Sequence, residues 1–362
     1  MRQVVRWLKN PWARGVLVLL LLAAALLAVW WRGPDWNTVY HAFDFVAWRW
    51  VVVGILLNLL SVLSRAISWR LTISQALPDP QPAFGQVFSS FGIGLLGNAV
   101  LPARAGELAR VAVLRRHLPH HGSGTTATLL GTVFAHRLFD LFPVSLLVAY
   151  VILTAKIPHW AVTSLAIFFL VGITLLAVAV ITARRTHSTS HTIGSGVSSA
   201  RRLLAMARQG LAVLRAPLPA AAAIFFQVVG WLLQLFAVWV VMKAFAMDTP
   251  LPAAGLVLLL MNVATIFPLW PGNIGLLQAA IALPLVQYGV AYGTGFAYAL
   301  VLQAVEMSVG VGVGLIFLAR EGLSLASLQR MEEEQELEED AIIAAEAARI
   351  EAGADREGAP AI

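Results

Sequence analysis

Long apolar stretches separated by short polar ones run through most of this 362-residue chain. A helix that crosses a bilayer needs about 20 mostly apolar residues. The pattern predicts such spans over residues 15–31, 46–66, 124–155, 160–182, 218–242 and 294–319. The first span ends in Trp-Trp-Arg, which is typical of a membrane interface, so we expect a retained helix and not a cleaved signal peptide. The predicted fold class is an all-α, polytopic membrane protein.

Two further apolar segments, 84–101 and 251–287, are interrupted by glycine and proline. GNAVLPARAGELARVAVL and MNVATIFPLWPGNIGLLQAAIAL each give an asparagine, a short apolar stretch, a proline and a glycine before the next helix. Interrupted segments in corresponding positions are typical of transporters built from inverted repeats. We therefore expect two broken, re-entrant segments in an inverted repeat with halves over about 45–155 and 217–320. The residues expected to form the breaks are Pro102, Gly106, Pro271, Gly272 and Gly275.

The composition agrees with this class, because 59% of the residues are hydrophobic and only 12% are charged. Soluble domains contain about 25% charged residues. Ten basic residues and no acidic ones lie in residues 1–14 and 184–215 taken together. Cytoplasmic segments of membrane proteins are enriched in lysine and arginine. We therefore expect these two segments and both termini to be cytoplasmic.

The pattern divides the chain into an amino-terminal arm with the first transmembrane helix (1–44), a transmembrane domain (45–320) and an acidic cytoplasmic tail (321–362). Residues 330–362 hold 11 acidic and 3 basic residues, so we expect a solvated tail and expect any protein partner to bind there. The chain has no cysteine, which excludes disulfides and thiolate chemistry. We expect no metal site, no cofactor and no nucleic-acid partner.

Charged side chains directly after the first break are the main chemical signal. At 100° per residue, Arg104, Glu107 and Arg110 fall on one side of a helix. A half-helix after Pro102 points its amino terminus into the bundle, where free N–H groups attract anions. Arginine adds a planar fork suited to phosphate oxygens. We expect this set to bind an anionic lipid headgroup; the alternative is an ion pair that only holds the fold.

Ionisable side chains in the later spans extend the candidate site, since such groups within a membrane are costly and often functional. Arg137 and Asp140 lie three residues apart and can pair, with His136 beside them. Glu306 lies in the last span without an obvious local partner. We expect it to neutralise an arginine of the first half; coupling to ion movement is the alternative.

The motifs NAVLPARAGELARVAVLRR, AHRLFDLF and FPLWPGNIGLLQAA resemble, in this order, those of the lysylphosphatidylglycerol synthase transmembrane (flippase-like) family over roughly residues 45–320. The resemblance implies a multi-helix bundle that handles lipids in a bacterial inner membrane. Two positions depart from the family pattern, since His136 stands where glutamate is common and Gln278 where an acid is common. The expected substrate-binding residues are Asn98, Arg104, Glu107, Arg110, Arg137, Asp140, Asn273, Gln278 and Glu306.

These features favour an inner-membrane lipid transporter or flippase for a lipid with an anionic headgroup, such as a phospholipid. The chain has no room for the soluble lysyl-transferase domain of some family members, so we do not expect it to synthesise lysylphosphatidylglycerol. The alternatives are a membrane-embedded enzyme acting on lipid-linked phosphate or sugar substrates and a non-transporting partner of such an enzyme. The sequence leaves the lipid, the energy source and the oligomeric state open.

The predicted topology can be tested with single cysteines, because the chain has none of its own. In intact cells a membrane-impermeant thiol reagent should label Thr294→Cys and leave Ser188→Cys unlabelled until the membrane is opened. Labelling of Ser188→Cys in intact cells would contradict the cytoplasmic placement of the loop 184–215.

Overall fold

The structure is a computed structural model that describes residues 34–77, 80–100, 106–118, 125–157, 163, 216–266, 273, 275–327 and 330. Outside the described residues lie the predicted span 15–31, the predicted span 160–182 except for residue 163, the loop 184–215 and the tail after residue 330. Four residues of the predicted breaks and site also lie outside them: Pro102, Arg104, Pro271 and Gly272.

Nine α-helices form in the described ranges, which contain no strand. They are α1 (Trp36–Ala42), α2 (Trp48–Ala76), α3 (Phe84–Val100), α4 (Gly106–Arg116), α5 (Thr125–Thr154), α6 (Pro217–Ala244), α7 (Leu251–Ile266), α8 (Leu276–Leu285) and α9 (Tyr292–Arg320). In this part of the chain α2, α5, α6 and α9 are long and apolar enough to cross a membrane. The predicted all-α membrane class is confirmed.

Two helices differ from what the apolar pattern of the sequence predicts. Helix α1 was not predicted; Asp35 caps it by accepting a hydrogen bond from the backbone N–H two residues later at 3.1 Å. Helix α2 continues past residue 66, where the apolar pattern ends, to Ala76. Its polar last turns are satisfied by helix carbonyls, since Ser68 donates to Ala223 at 2.8 Å and Thr72 to Ser68 at 3.1 Å.

The helices after α1 form two successive sets with the same order of lengths. Helices α2 to α5 have 29, 17, 11 and 30 residues, and α6 to α9 have 28, 16, 10 and 29. Packing between the sets is reciprocal, because α3 packs on α9 and α7 packs on α5. Each short pair corresponds to an interrupted segment of the sequence. Their re-entrant course through a membrane stays a prediction.

Helices α2 and α6, the first of each set, form the most extensive contact in the described structure. Three serine hydroxyls of α2 donate to carbonyls of α6: Ser61 to Gly230 at 2.8 Å, Ser64 to Phe226 at 2.7 Å and Ser68 to Ala223 at 2.8 Å. Rising numbers on α2 meet falling numbers on α6, so the two helices are antiparallel. The first helices of the two sets therefore run in opposite directions, as an inverted repeat requires.

Glycines allow α3 and α4 to approach closely as a hairpin. A Cβ atom on Gly106 would lie 1.9 Å from the carbonyl oxygen of Gly94 and 2.5 Å from the backbone nitrogen of Asn98. A Cβ atom on Gly97 would lie 2.8 Å from the Cα atom of Gly106. No side chain fits at such distances, so this crossing requires glycine on both helices. It holds the first turn of α4, with its charged residues, against α3.

A second close crossing joins α3 to α9 and gives a matched test. A Cβ atom on Gly314 would lie 2.4 Å from the Cβ atom of Leu96 and 2.8 Å from the carbonyl oxygen of Gly92, whereas one on Gly312 would meet nothing within 4 Å. Overpacking costs about 1–3 kcal/mol. Gly314→Ala should therefore lower the thermal unfolding temperature of the purified protein, and Gly312→Ala should leave it unchanged or raise it. Equal effects of the two substitutions would contradict this packing.

Candidate functional site

The first turn of α4 places Glu107 and Arg110 against α2 and α3. Oε2 of Glu107 lies 2.7 Å from Nη2 of Arg110, whose side chain is only 4% exposed. The Arg110 guanidinium lies over the rings of Trp69 and Phe91, at 4.7 and 5.5 Å from their centroids. An arginine buried this deeply is costly unless paired. Glu107 and the two aromatic faces together compensate its charge.

Glu107 also pairs with Arg137 of α5, so one carboxylate bridges two arginines from different helices. Nη1 of Arg137 lies 3.3 Å from Oδ2 of Asp140, one turn further along α5. The predicted pairing of Arg137 with Asp140 is therefore present. The bridge through Glu107 joins the first broken segment to α5.

Helix α6 fixes Asp140 from the other half of the molecule. The indole Nε1 of Trp231 donates to Oδ1 of Asp140 at 2.8 Å, and the side-chain amide of Gln227 donates to the same oxygen. Both α6 residues are buried. The ion-pair network of the first half therefore ends on hydrogen-bond donors of the second half.

Arg65 of α2 is a site residue that the sequence reading did not select. Its Nη2 donates to the side-chain oxygen of Gln234, and its guanidinium lies 5.1 Å from the centroid of the Trp231 ring. A signal was present, because an arginine within a long apolar helix is a functional candidate by default. Arg65 is not among the expected substrate-binding residues named from the sequence.

A small cavity of about 40 Å³ lies among these groups. Five of the predicted substrate-binding residues line it: Asn98, Glu107, Arg110, Arg137 and Asp140. Arg65 and His136 line it as well. The volume suffices for a few water molecules, so a lipid headgroup can enter only if the surrounding helices move apart.

Several buried polar atoms around the cavity have no hydrogen-bond partner in the described structure: Oδ1 of Asn98, Nε of Arg65, Nε of Arg110 and Nδ1 of His136. Buried polar atoms are nearly always paired, so these atoms can take hydrogen bonds from or give them to molecules that enter the cavity, whether water or a ligand. His136 uses its other nitrogen, Nε2, to donate to the carbonyl of Arg65 at 3.2 Å. The described residues contain no group of three side chains that could hold a metal ion.

The described residues of the second break, Asn273 and Gly275, are not among those that line this cavity. Gly275 has a φ of 92°, which favours glycine, and its N–H donates to Oε1 of Gln278 at 2.6 Å. Gln278 in turn donates to Gln303 of α9. The Asn273 side chain donates to the carbonyl of Ala264 at 3.0 Å. These bonds of Asn273 and Gln278 join the second break to α7 and α9.

Glu306 of α9 is hydrogen-bonded to the side-chain amides of two neighbouring helices. Both of its oxygens accept from Nε2 of Gln234, at 3.3 and 3.4 Å, and its carboxylate is also hydrogen-bonded to Asn58 of α2. Gln234 accepts from Arg65. Glu306 was expected to neutralise an arginine of the first half. Among the described residues Arg65 is the candidate, because Gln234 is hydrogen-bonded to both side chains.

Comparison with protein families matches residues 15–314 to the family described as the lysylphosphatidylglycerol synthase TM region. The chain belongs to this family. It is thus a multi-pass membrane protein related to lipid handling. Comparisons with curated proteins and with solved structures found no match. The lysylphosphatidylglycerol synthase TM match covers all the described cavity residues.

Glu107→Gln tests the charge pairing at the cavity. The substitution keeps the shape of the side chain but leaves the buried guanidinium of Arg110 without its carboxylate, which we expect to destabilise the protein by about 3 kcal/mol. Asp248→Asn is the control, because Asp248 forms a loose 3.8 Å pair and is fully exposed. Thermal unfolding should show a large decrease for the first variant and little change for the second. Equal Tm values for Glu107→Gln and the wild type would contradict the pairing.

Proposed function

We propose that the protein is a transporter of lipids with an anionic headgroup, and that the lipid phosphate binds at the cavity lined by Arg65, Arg110 and Arg137. The proposal rests on one observation. Three guanidinium groups, from three helices, line one cavity together with buried polar atoms that have no hydrogen-bond partner in the described structure. Membership of the lysylphosphatidylglycerol synthase TM family supports a lipid as the substrate.

Phosphate is the chemical group that fits such a site. An arginine offers parallel N–H donors that match two oxygens of one phosphate. In the structure, where the cavity is small, the guanidinium groups of Arg110 and Arg137 bind the carboxylate of Glu107 instead of a phosphate. A phosphate entering the opened cavity can replace the Glu107 oxygens one for one, because its oxygens also accept hydrogen bonds from the two guanidinium groups. The lipid tails would then remain in the bilayer beside the bundle.

Movement of the lipid across the membrane is supported by the relation of the two halves. Transporters with inverted repeats expose a site near their centre to alternate sides by rocking one half against the other. Here the ion pairs of α4 and α5 end on α6, so a motion of α6 relative to α5 must break or reform the hydrogen bonds of Asp140. We place this activity in a bacterial inner membrane, with both termini cytoplasmic.

The proposal is tested by reconstitution into liposomes that contain a fluorescent phosphatidylglycerol or, separately, a fluorescent phosphatidylcholine. A membrane-impermeant quencher added outside reports transfer between leaflets. The purified protein should transfer the anionic lipid and leave the zwitterionic one largely in place. Chemically altered lipid at the end of the assay would favour the membrane-embedded enzyme, and equal transfer of both lipids would contradict the headgroup preference.

Arg137→Lys tests the requirement for a guanidinium fork. Lysine keeps the positive charge but cannot contact Glu107 and Asp140 together or bind a phosphate through two parallel bonds. Loss of one charge-assisted hydrogen bond, about 1.5–3 kcal/mol, should slow transfer of the anionic lipid roughly ten- to hundredfold. Arg49→Lys is the control, because Arg49 is exposed near the start of α2. Full transfer by folded Arg137→Lys protein would remove the fork from the mechanism.

A further inference from the structure

The polar residues at the centre of the bundle occupy corresponding positions in the two halves. Arg65 is the eighteenth residue of α2 and Gln234 the eighteenth residue of α6, and the two are hydrogen-bonded to each other. Asn58 and Gln227 are likewise both the eleventh residues of these helices. Two antiparallel helices of an inverted repeat bring equivalent residues together at the symmetry axis. The Arg65–Gln234 pair therefore marks the position of that axis.

The two carboxylates flanking this pair are also equivalent. Asp140 is the sixteenth residue of α5 and Glu306 the fifteenth residue of α9, and a difference of one residue is within the usual variation of helix starts. Asp140 is hydrogen-bonded to Gln227 on the first helix of the other half, and Glu306 to Asn58 on the first helix of its opposite half. Glu306 is therefore the counterpart of Asp140 in a second, quasi-equivalent half-site.

The two carboxylates differ in the charges around them. Asp140 pairs directly with Arg137 at 3.3 Å, whereas the described hydrogen-bond partners of Glu306 are the neutral amides of Gln234 and Asn58. Helices α3 and α8, which pack on α9, contain no ionisable residue.

Other charged groups act on Glu306 only at longer range or from other parts of the bundle. Arg65 of α2 is the one cation acting on it in the described structure, from behind Gln234. On α6, Lys243 is engaged with Met247 and Asp248, and on α1 His41 pairs with Asp44. On α9 itself, Tyr298 donates to the carbonyl of Val238.

The remaining ionisable groups of the centre are His136, Arg137 and Asp140 of α5, and Glu107 and Arg110 of α4. They belong to the cavity, and His136 and Asp140 contact α2 and α6 respectively.

The charges of this network cancel when every carboxylate is ionised. Among the residues that the structure describes, the charged groups of the network are three arginines and three carboxylates: Arg65, Arg110, Arg137, Glu107, Asp140 and Glu306. His136 is counted as neutral. A neutral site gains little from binding a phosphate, which adds one negative charge to a low-dielectric interior. One proton taken up by a carboxylate leaves the site with one surplus positive charge, which matches the single negative charge of a phosphodiester headgroup.

We infer that Glu306 is a proton-binding residue of a second half-site, and that its protonation prepares the arginine cluster to accept an anionic lipid headgroup. The part of this inference that concerns the lipid rests on the proposed function. The part that concerns proton binding by Glu306 does not. The proton binds a carboxylate oxygen of Glu306, which stays hydrogen-bonded to Gln234 and Asn58. Arg65, no longer balanced by Glu306, then attracts the phosphate, so one proton and one anionic headgroup bind together.

Proton binding is tested directly by infrared difference spectroscopy of the purified protein during a pH titration. A protonated carboxylic acid has a carbonyl band that a carboxylate lacks. The other carboxyl groups of the chain also contribute to this band on acidification, so we expect one component of it to belong to Glu306. That component should be present in the wild type, shifted in Glu306→Asp and missing in Glu306→Gln, while the other components remain. Glu321→Gln, which alters a carboxylate beyond the end of α9, should keep the wild-type band. An unchanged band in Glu306→Gln would overturn the inference, whether or not the protein moves lipid.

Coupling to the lipid is tested by measuring the affinity for phosphatidylglycerol at several pH values. Linked uptake of one proton predicts that the affinity of the wild type rises as the pH falls, by up to about tenfold per pH unit. In Glu306→Gln, whose side chain is always neutral, the affinity should be high and independent of pH. A wild-type affinity that does not change with pH, or an unchanged slope in Glu306→Gln, would overturn the coupling.

The two arms separate this inference from the proposed function. A pH-dependent affinity without transfer of lipid in liposomes would contradict transport and leave the proton site in place. If the anionic lipid is transferred at a rate that does not depend on pH, and no titrating band is assigned to Glu306, transport is supported and the proton site is contradicted. Rescue of the pH slope by Glu306→Asp distinguishes a proton-binding role from a structural one, because only a carboxylate can restore it.

Discussion

The cost of holding charge in a low-dielectric interior is the constraint on which the centre of this protein depends. Arg110, with a side chain that is 4% exposed, is tolerated because Glu107 lies 2.7 Å away and two aromatic rings cover its guanidinium. Glu107 must in turn serve Arg137, which pairs with Asp140, which is held by α6. Removing Glu107 leaves Arg110 without its carboxylate, and removing Arg137 leaves Asp140 without its ion-pair partner. The broken segment, α5 and α6 are therefore joined in one network.

Small and hydroxyl side chains supply the geometry that this network needs. The glycines of α3 and α4 let the two backbones touch, and this contact brings the first turn of α4 to the cavity. Serines of α2 donate to carbonyls of α6 and keep the two first helices in antiparallel contact. That contact places Arg65 opposite Gln234. Backbone packing thus positions the charges, and the charges make the two halves dependent on each other.

Much of this could be predicted from the sequence, and the remainder has a physical explanation. Apolar length predicted the four long apolar helices of the described structure. Glycine and proline predicted two interrupted segments, in which short helices are found and whose re-entrant course stays a prediction. The pairing of Arg137 with Asp140 followed from helical spacing. Partners that meet across elements, such as Glu107 with Arg137 or Asp140 with Trp231, could not be derived from spacing. Arg65 was overlooked because its neighbours Gln234 and Trp231 lie about 170 positions away along the chain.

The central claim, that the cavity receives the headgroup of an anionic lipid, is tested most directly by crosslinking from one of its walls. Leu95 lines the cavity, and Leu95→Cys is the only thiol in a chain without cysteine. The variant in liposomes is exposed to phosphatidylglycerol bearing a thiol-reactive headgroup, with unmodified lipids as competitors. We predict an adduct that unmodified phosphatidylglycerol suppresses and phosphatidylcholine does not. No adduct, or equal suppression by both lipids, would contradict the account.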